Sequence, residues 1–275
     1  MLEARLLQAS ILKGIVESVK DLVREANFDC SDSGISFQAM DESNVALSSF
    51  LLRAEGFETY RCDRNLSLGV RFSSLSKILK CANNDDIVVI RAEDDADVLN
   101  FVFESPDESK ISEYQIKLLD IDGEHLSIPE QEFDCVIKMS SSEFSKLCRD
   151  MTLLGQTVVI DAAKEGVKFS TYGDIGAGSV LYKHSSSIDD SSSGSGGKGR
   201  GGSGGMSARG CSIELREPVS LELSLKYLNN FTKAAPLSDY VVISASNEIP
   251  VMVQFDVGDI GYIRYYLAPQ IKDTE

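Results

Sequence analysis

Several residue patterns that mark enzymes, metal proteins and membrane proteins are missing from this chain. It has only two histidines, His125 and His184, so we expect no histidine-based metal site or nucleophile. Its six cysteines form no CxxC pair and match no zinc-binding spacing, which predicts reduced, mostly structural thiols. No apolar run approaches the roughly 18 residues that span a bilayer, so we expect no membrane partner.

The sequence also lacks a secretory pattern at its start and a glycine-rich phosphate loop. The opening MLEARLLQASILK mixes acids with bases and has no small-residue cleavage site. Two clusters of carboxylates do stand out: Asp94, Asp95 and Asp97, and Asp120, Asp122 and Glu124. No base or nucleophile accompanies them, and polar loops commonly carry such acids. We therefore expect neither catalysis nor a bound metal or cofactor, in a cytosolic or nuclear protein.

What the chain does have is an unusual distribution of charge. It carries 43 acidic against 27 basic residues, a formal net charge of -16. Yet each of the segments with helical periodicity puts Lys or Arg on its polar face. A local basic surface on an acidic protein suits a polyanion that is bound in one place and repelled elsewhere.

Helical periodicity recurs in both halves. Residues 10–26 predict an amphipathic helix, and a shorter pattern around Leu75–Leu79 predicts a second. In the second half, Ser140–Glu143 has the spacing of a capping box ahead of a third helix, and a fourth is expected near Lys226–Lys233. Strand-like runs follow these helices: Ile87–Arg91, Leu99–Phe103, Val158–Asp161, Val167–Ser170, Val241–Ser244, Val251–Phe255 and Tyr262–Leu267.

Each half thus repeats the order helix, strands, helix, strands, which indicates an internal duplication. Short antiparallel strands covered by helices predict the α+β class, with two similar domains at 1–117 and 135–275. Residues 118–134 are acidic and aperiodic and are expected to connect them. The Ser/Gly-rich segment at about 185–210 is expected to be a flexible surface loop within the second domain.

Five stretches of this sequence resemble one family. They are MLEARLLQASILK, GFETYRCDRNLSLGVRFSSLSKILKCA, LSIPEQEFDC, AAKEGVKFS and YYLAPQIKD. In this order, and spread along nearly the whole chain, they are similar to the proliferating cell nuclear antigen family, the eukaryotic DNA sliding clamps. The Ser/Gly segment departs from the family in being longer and richer in glycine.

The resemblance implies a DNA-clamp fold in which three identical chains close head to tail into a ring, with helices lining the hole. Strands at Ser109–Lys117 of one subunit and Ile175–Lys183 of the next would join. The interface residues implied in this way are Lys110, Tyr114, Gly178 and Leu181.

The ring would hold duplex DNA through sequence-independent contacts between cations and phosphates. Gly14 and Leu153 stand where the family often has basic or polar residues, so this lining is expected to be slightly less basic. The expected DNA-facing residues are Lys13, Lys20, Arg61, Arg64, Arg71, Lys77, Lys80, Lys146, Arg149, Lys226 and Lys233.

The resemblance further implies docking of polymerases, nucleases and ligase through the PCNA-interacting peptide motif, an ATP-dependent clamp loader, and action in the nucleus. Lys164 matches the family lysine modified by ubiquitin, whereas Ser127 replaces a second modified lysine. A subunit of a heterotrimeric checkpoint clamp is the alternative function. The peptide pocket would comprise Met40, Val45, Leu47, Leu126, Ile128, Pro129, Pro236, Tyr266, Ala268 and Pro269.

Overall fold

The structure, a computed structural model, describes residues 1–94, 97–122, 131–183, 211–247 and 249–270. The Ser/Gly-rich segment expected at about 185–210 lies outside these ranges.

Both halves consist of the same sequence of elements. The first half contains β1 (Leu2–Leu6), α1 (Ala9–Val19), β2 (Glu25–Ser31), β3 (Gly34–Met40), β4 (Ala46–Arg53), β5 (Thr59–Cys62), β6 (Leu66–Arg71), α2 (Phe72–Leu79), β7 (Ile87–Ala92), β8 (Val98–Glu104) and β9 (Ile111–Lys117). The second contains β10 (Cys135–Ser140), α3 (Ser141–Thr152), β11 (Thr157–Ala163), β12 (Gly166–Gly173), β13 (Gly176–Lys183), β14 (Ser212–Leu215), β15 (Val219–Ser224), α4 (Leu225–Phe231), β16 (Tyr240–Ala245), β17 (Val251–Val257) and β18 (Gly261–Leu267). The duplication expected from the sequence therefore extends to every strand and α-helix.

The strands form three antiparallel sheets, one of which crosses between the halves. The first sheet has the order β5-β1-β7-β8-β9, and the smallest has the order β13-β12-β11-β15. The nine-stranded sheet has the order β14-β10-β16-β17-β18-β4-β3-β2-β6. Its centre is the pairing of β18 with β4, which runs from Gly261 opposite Leu52 to Leu267 opposite Ala46. One continuous sheet thus joins the two halves.

The helices pack side by side in the order α2, α1, α4, α3. Each buries its apolar stripe: Leu12, Ile15, Val16 and Val19 in α1, Phe72, Leu75 and Leu79 in α2, Phe144, Leu147 and Met151 in α3, and Leu225, Leu228 and Phe231 in α4. A 3-10 helix, Thr232–Leu237, continues α4 and packs against α1 and α3. The expected helices and strands are confirmed.

Two details of the sequence interpretation are wrong. The first helix ends at Val19, not at residue 26, because Glu25 and Ala26 pair with Arg71 and Val70 of β6. Leu22 and Val23 are nevertheless buried, since a turn after the helix keeps them against the core.

The second error is the capping box of α3. The Ser140 side chain makes no capping bond; its Oγ lies 2.8 Å from Ser142 Oγ instead. The Glu143 carboxylate accepts a hydrogen bond from the Tyr182 hydroxyl at 3.0 Å, so it does not reach back to the Ser140 amide. A tertiary contact has replaced the local one.

The cysteines behave as the sequence predicts, since all six are free thiols. Burial raises the pKa of Cys148 to about 12 and that of Cys135 to about 11. Thiols held this firmly in the protonated form are poor nucleophiles. Cys135 and Cys148 therefore serve as small apolar residues of the core.

The connector begins with a close backbone contact. The amide of Leu119 donates to the Gly69 carbonyl of β6 at 2.9 Å. A side chain at Gly69 would come within 2.1 Å of the Leu119 carbonyl oxygen, so only glycine fits here. Asn27 holds the following part of the connector through its side-chain amide, which donates to the Ile121 carbonyl at 3.0 Å.

Candidate DNA-facing and docking surfaces

Eight of the expected DNA-facing cations lie on the α-helices, directly after them or on the 3-10 extension: Lys13, Lys20, Lys77, Lys80, Lys146, Arg149, Lys226 and Lys233. Each helix therefore contributes to one basic surface, which we call the helix face. It lies on the side of the helices opposite the buried stripes.

About half of these cations are already engaged. Lys20 and Lys80 approach the Glu17 carboxylate at 2.6 and 3.9 Å. Lys233 bonds to Asp21 at 2.7 Å, and Lys13 donates to the Ala82 carbonyl. The others, which form no ion pair within the described residues, are Lys77, Lys146, Arg149 and Lys226. The helix face is thus positive but partly neutralised by its own acids.

The structure separates three predicted cations from this set. Arg61 and Arg64 lie on β5 and in the turn after it, and Arg71 ends β6, all outside the helices. Asp63 is the only acidic residue in the sequence from Arg61 to Lys80. In the fold, Asp63 holds Arg61 in a bidentate contact at 2.7 and 3.0 Å. Asp94 approaches Arg64 at 3.1 Å and Glu25 approaches Arg71 at 3.4 Å.

Three residues of the predicted peptide pocket belong to a line of side chains that crosses the β4–β18 pairing between the halves. Met40, Leu47, Tyr266 and Met252 are consecutive partners across β3, β4, β18 and β17. We call this line the apolar row. The neighbouring Tyr265 is buried under α1, and side chains alternate along a strand, so the apolar row lies on the face away from the helices.

Other predicted residues border the apolar row. The Ala268 amide donates to the Val45 carbonyl at 3.1 Å, which brings Val45, Ala268 and Pro269 to one end of it. Leu126, Ile128 and Pro129 lie outside the described residues.

Pro236 does not belong to this group. It lies in the 3-10 helix and lines a separate concavity with Lys138 and Tyr240. Pro250, which immediately precedes β17, is placed by the β17–β18 register beside Ala268. The sequence interpretation missed Pro250 and Met252 because their proximity to Met40 depends on the order of four strands. The sequence does contain one indication: Ile249 precedes Pro250 directly before a strand-like run, and the residue before a proline favours an extended backbone.

Each of the three sheets has two edge strands, and two of these six edges carry the predicted interface residues. β9 ends the five-stranded sheet and β13 ends the four-stranded sheet. Large apolar side chains are exposed on them, with Ile111 at 65%, Leu181 at 47% and Val180 at 38%. Lys110 and Tyr114 belong to the first edge, Lys110 immediately before it, and Gly178 to the second. The four predicted interface residues thus lie at two free sheet edges.

Family comparison gives the same assignment for both halves. The model of the proliferating cell nuclear antigen N-terminal domain matches residues 1–125. The model of the C-terminal domain matches residues 127–196 and 205–270.

The chain belongs to the proliferating cell nuclear antigen family. It is a sliding-clamp protein, and this family of DNA replication and repair consists of non-catalytic scaffolds. Among the described residues of the clamp, no helix is long and apolar enough to cross a membrane. Nor do acids, cysteines and histidines gather in threes as a metal site would require in that part of the chain.

Lys164 of the clamp lies in a tight turn. Lys164 and Glu165 connect β11 to β12, whose end residues Ala163 and Gly166 are paired. The Lys164 side chain is exposed and has no ion pair or hydrogen bond to the described residues. Its amine is therefore accessible to a modifying enzyme.

A buried carboxylate that the sequence interpretation missed fixes the loop beside the apolar row. Asp41 Oδ1 accepts hydrogen bonds from the Val45 and Ala46 amides, both at 2.8 Å. Asp41 Oδ2 accepts from the Ser43 amide at 3.2 Å and from the Tyr227 hydroxyl of α4 at 2.7 Å. Asp41 therefore links a loop of the first half to a helix of the second.

Burial alone would raise the pKa of Asp41. The hydrogen bonds from the Ala46 amide, the Tyr227 hydroxyl and the other two amides outweigh burial and hold this pKa below its usual value. A carboxyl with a lowered folded-state pKa stabilises the fold fully above its unfolded pKa of about 3.9, and this stabilisation is lost as the pH falls through the folded pKa.

We predict that Asp41→Asn lowers the free energy of unfolding at pH 7 by about 1–3 kcal/mol, because the amide leaves buried donors unpaired. Urea unfolding of both proteins at one concentration should show this gap narrowing below about pH 4, as Asp41 becomes protonated in the parent. The exposed Asp32→Asn is the control. A gap that does not depend on pH would contradict the assignment.

Proposed function

We propose that this chain is the subunit of a homotrimeric replicative clamp that encircles duplex DNA and docks partner proteins on its outer face. The observation that carries the proposal is the pairing of β18 with β4 inside one chain. Because the two halves repeat the same elements, this pairing indicates how a strand of one chain would pair with a strand of the next.

Two equivalent rows of paired residues establish this correspondence. The row in the first half crosses β1, β7, β8 and β9 through Ala4, Ile90, Phe101 and Tyr114. The row in the second half crosses β10, β16, β17 and β18 through Ile137, Ile243, Val253 and Tyr265. The second row continues into Ser48 of β4, whereas the first ends at Tyr114. Within the described residues, Tyr114 therefore has no cross-strand partner on the outer side of β9.

The repeat also supplies that partner. Gly34 and Gly166 begin β3 and β12 with φ of 136° and 142°, and their cross-strand partners are Arg53 of β4 and Lys183 of β13. Counting back along both strands makes Gly178 the equivalent of Ser48. Tyr114 then lies opposite Gly178 of the partner subunit, and Ile111 lies opposite Leu181 of the partner subunit.

Burial supports the same joint. Phe50 of β4 is only 2% exposed, because β18 pairs with its strand and the rings of Phe28 and Phe37 pack against its ring. Its equivalent, Val180 of β13, is 38% exposed in the isolated chain. An apolar strand edge with free backbone groups favours association with another strand.

A ring of identical chains is favoured over a heterotrimeric checkpoint clamp because both halves of the joint occur on one chain. β9 and β13 correspond to strands that already pair as β18 and β4. Heterologous interfaces of this kind generate a ring when the rotation between subunits closes on itself. We take the number of subunits, three, from the resemblance to the family.

The helix face supports sequence-independent binding of duplex DNA. Its cations would bind DNA phosphates, while its acidic residues reduce the total electrostatic attraction. Individual contacts would therefore form and break as the ring moves along the DNA. Retention then comes from encirclement. An ATP-dependent clamp loader would open the ring, which would then close around DNA in the nucleus.

The apolar row supports the docking of partners. Polymerases, nucleases and ligase would insert apolar anchors of the PCNA-interacting motif against Met40, Leu47 and Tyr266, with backbone pairing along the connector. The exposed Lys164 supports conjugation of ubiquitin, which would recruit translesion enzymes to the same ring.

We predict that Ile111→Cys and Leu181→Cys together, in a Cys81→Ser background, form a disulfide between subunits under mild oxidation. Facing residues on paired strands have Cβ atoms about 4.5–5.5 Å apart, within reach of a disulfide after small adjustments. Non-reducing electrophoresis should show covalent dimers and trimers.

The matched control pairs Ile111→Cys with Ser179→Cys, which moves one thiol two residues along the strand. Equal cross-linking of both pairs would contradict the register, and no cross-linking of either would contradict the joint.

We predict that the clamp, loaded on a nicked circular plasmid, stays bound in high salt and is released when the plasmid is linearised. Encirclement does not depend on ion pairs, whereas phosphate contacts weaken steeply with salt. Gel filtration of the labelled clamp with DNA measures retention. A linear plasmid whose ends are blocked by bound protein is the control, and salt-resistant retention on open linear DNA would refute encirclement.

We predict that Tyr266→Ala weakens a PCNA-interacting-motif peptide by roughly 30-fold, the effect of losing about 2 kcal/mol at a buried anchor. Fluorescence anisotropy measures the affinity. Tyr262→Ala alters the same face of β18 four residues away and should leave the affinity within about twofold. Equal losses in both variants would exclude the apolar row as the docking site.

A further inference from the structure

A second concavity lies outside the helix face and the apolar row. It has a volume of about 720 Å³ and lies where α3 begins, beside the 3-10 helix and the turn between β17 and β18. Its charged lining residues are Lys138, Asp239, Asp256 and Asp259, and Ser141 and Tyr240 also line it. We call it the acidic cleft.

The internal repeat shows how the corresponding place in the first half is filled. Arg5 follows Ala4 as Lys138 follows Ile137, and Glu104 lies three residues beyond Phe101 as Asp256 does beyond Val253. Arg5 donates to Glu104 at 2.7 Å and to Glu58 at 2.6 Å. A guanidinium between two carboxylates therefore occupies this place in the first half.

In the second half, Lys138 and Asp256 keep the charges of Arg5 and Glu104, but Cys211 stands in the place of Glu58, and Lys138 forms no ion pair within the described residues. Lys138 and Asp256 are on strands separated by β16, so their side chains must bridge two strand spacings, about 10 Å. Lysine and aspartate lack the reach of the arginine and glutamate in the first half. Lys138 instead lies 5.2 Å from the centre of the Tyr240 ring, and Asp256 accepts a hydrogen bond from Gln254 at 2.6 Å.

The cleft is left with unbalanced negative charge. Within the described residues, no Lys or Arg forms an ion pair with Asp239, Asp256 or Asp259. Ser141 adds an independent sign of a missing ligand, because it is 2% exposed and its hydroxyl has no hydrogen-bond partner there. Buried hydroxyls in folded proteins are normally paired.

We propose that the acidic cleft binds an arginine on a basic segment of a partner protein. The guanidinium takes the place that Arg5 has in the first half and bonds to the carboxylates, with the aliphatic stem against Tyr240 and Pro236. Arginine suits this position because its planar fork bonds to more than one carboxylate at once. An anionic ligand is disfavoured, because the three carboxylates outnumber Lys138 and Arg53, whose guanidinium donates to the Asp259 carbonyl at 3.2 Å.

The test uses a closed variant that changes no net charge. Lys138→Arg with Asp256→Glu supplies the two longer side chains of the first half, and their ion pair should occupy the cleft. The probe is a fluorescein-labelled peptide of glycine and serine with two arginines, and its twin carries citrulline, which has the same shape without the charge. Anisotropy at physiological salt measures both.

The parent protein should bind the arginine peptide saturably and the citrulline peptide at least about tenfold more weakly, the effect of losing charge-assisted hydrogen bonds. The closed variant should lose about tenfold in affinity for the arginine peptide. The triple variant Asp239→Asn, Asp256→Asn and Asp259→Asn should lose at least as much.

A control triple, Asp32→Asn, Asp85→Asn and Asp174→Asn, removes the same charge elsewhere and should bind as the parent does. Full binding by the closed variant, equal losses in both triples, or no saturable binding by the parent would each overturn the proposal. Light scattering and motif-peptide binding on the same variants report separately on the ring and the apolar row.

Discussion

The antiparallel pairing of β18 with β4 is the interaction on which the rest of this structure depends. It joins two copies of one folding unit into a nine-stranded sheet and brings α1 against α4 in a single helix layer. It also creates the apolar row, since Leu47 and Tyr266 face each other across it. Strand pairing of this kind satisfies backbone groups that a free edge would leave exposed. Among the sheet edges, β9 and β13 are the two through which we propose that further copies add.

Electrostatics assigns different tasks to the two faces. With a net charge of -16, the protein repels DNA over most of its surface. The cations on the helix face create a local exception, and Glu17 and Asp21 moderate it by pairing with Lys20 and Lys233. Weak attraction is compatible with movement along DNA because no single contact is strong enough to stop it. The opposite face carries apolar side chains and suits protein partners.

The sequence predicts those parts of the fold that depend on local periodicity. The buried stripes of α1 to α4 and the strands around Ile90 and Val253 follow from spacing alone. The end of α1 does not, because pairing of Ala26 with Val70 overrides a helical pattern. The same reason explains the capping box, where Tyr182 captures Glu143, and Pro236, which the strand order separates from Met40. Contacts between residues far apart in the sequence determine these three features, and local periodicity carries no information about such contacts.

The solution mass of the purified protein, measured by light scattering over a hundredfold dilution, tests the central claim most directly. The protomer has a mass of 30.0 kDa. Self-complementary edges predict a mass of three protomers that persists on dilution, because three joints must open for a ring to dissociate completely. A monomer at all concentrations would contradict the account, since β9 and β13 would then require strands from other proteins.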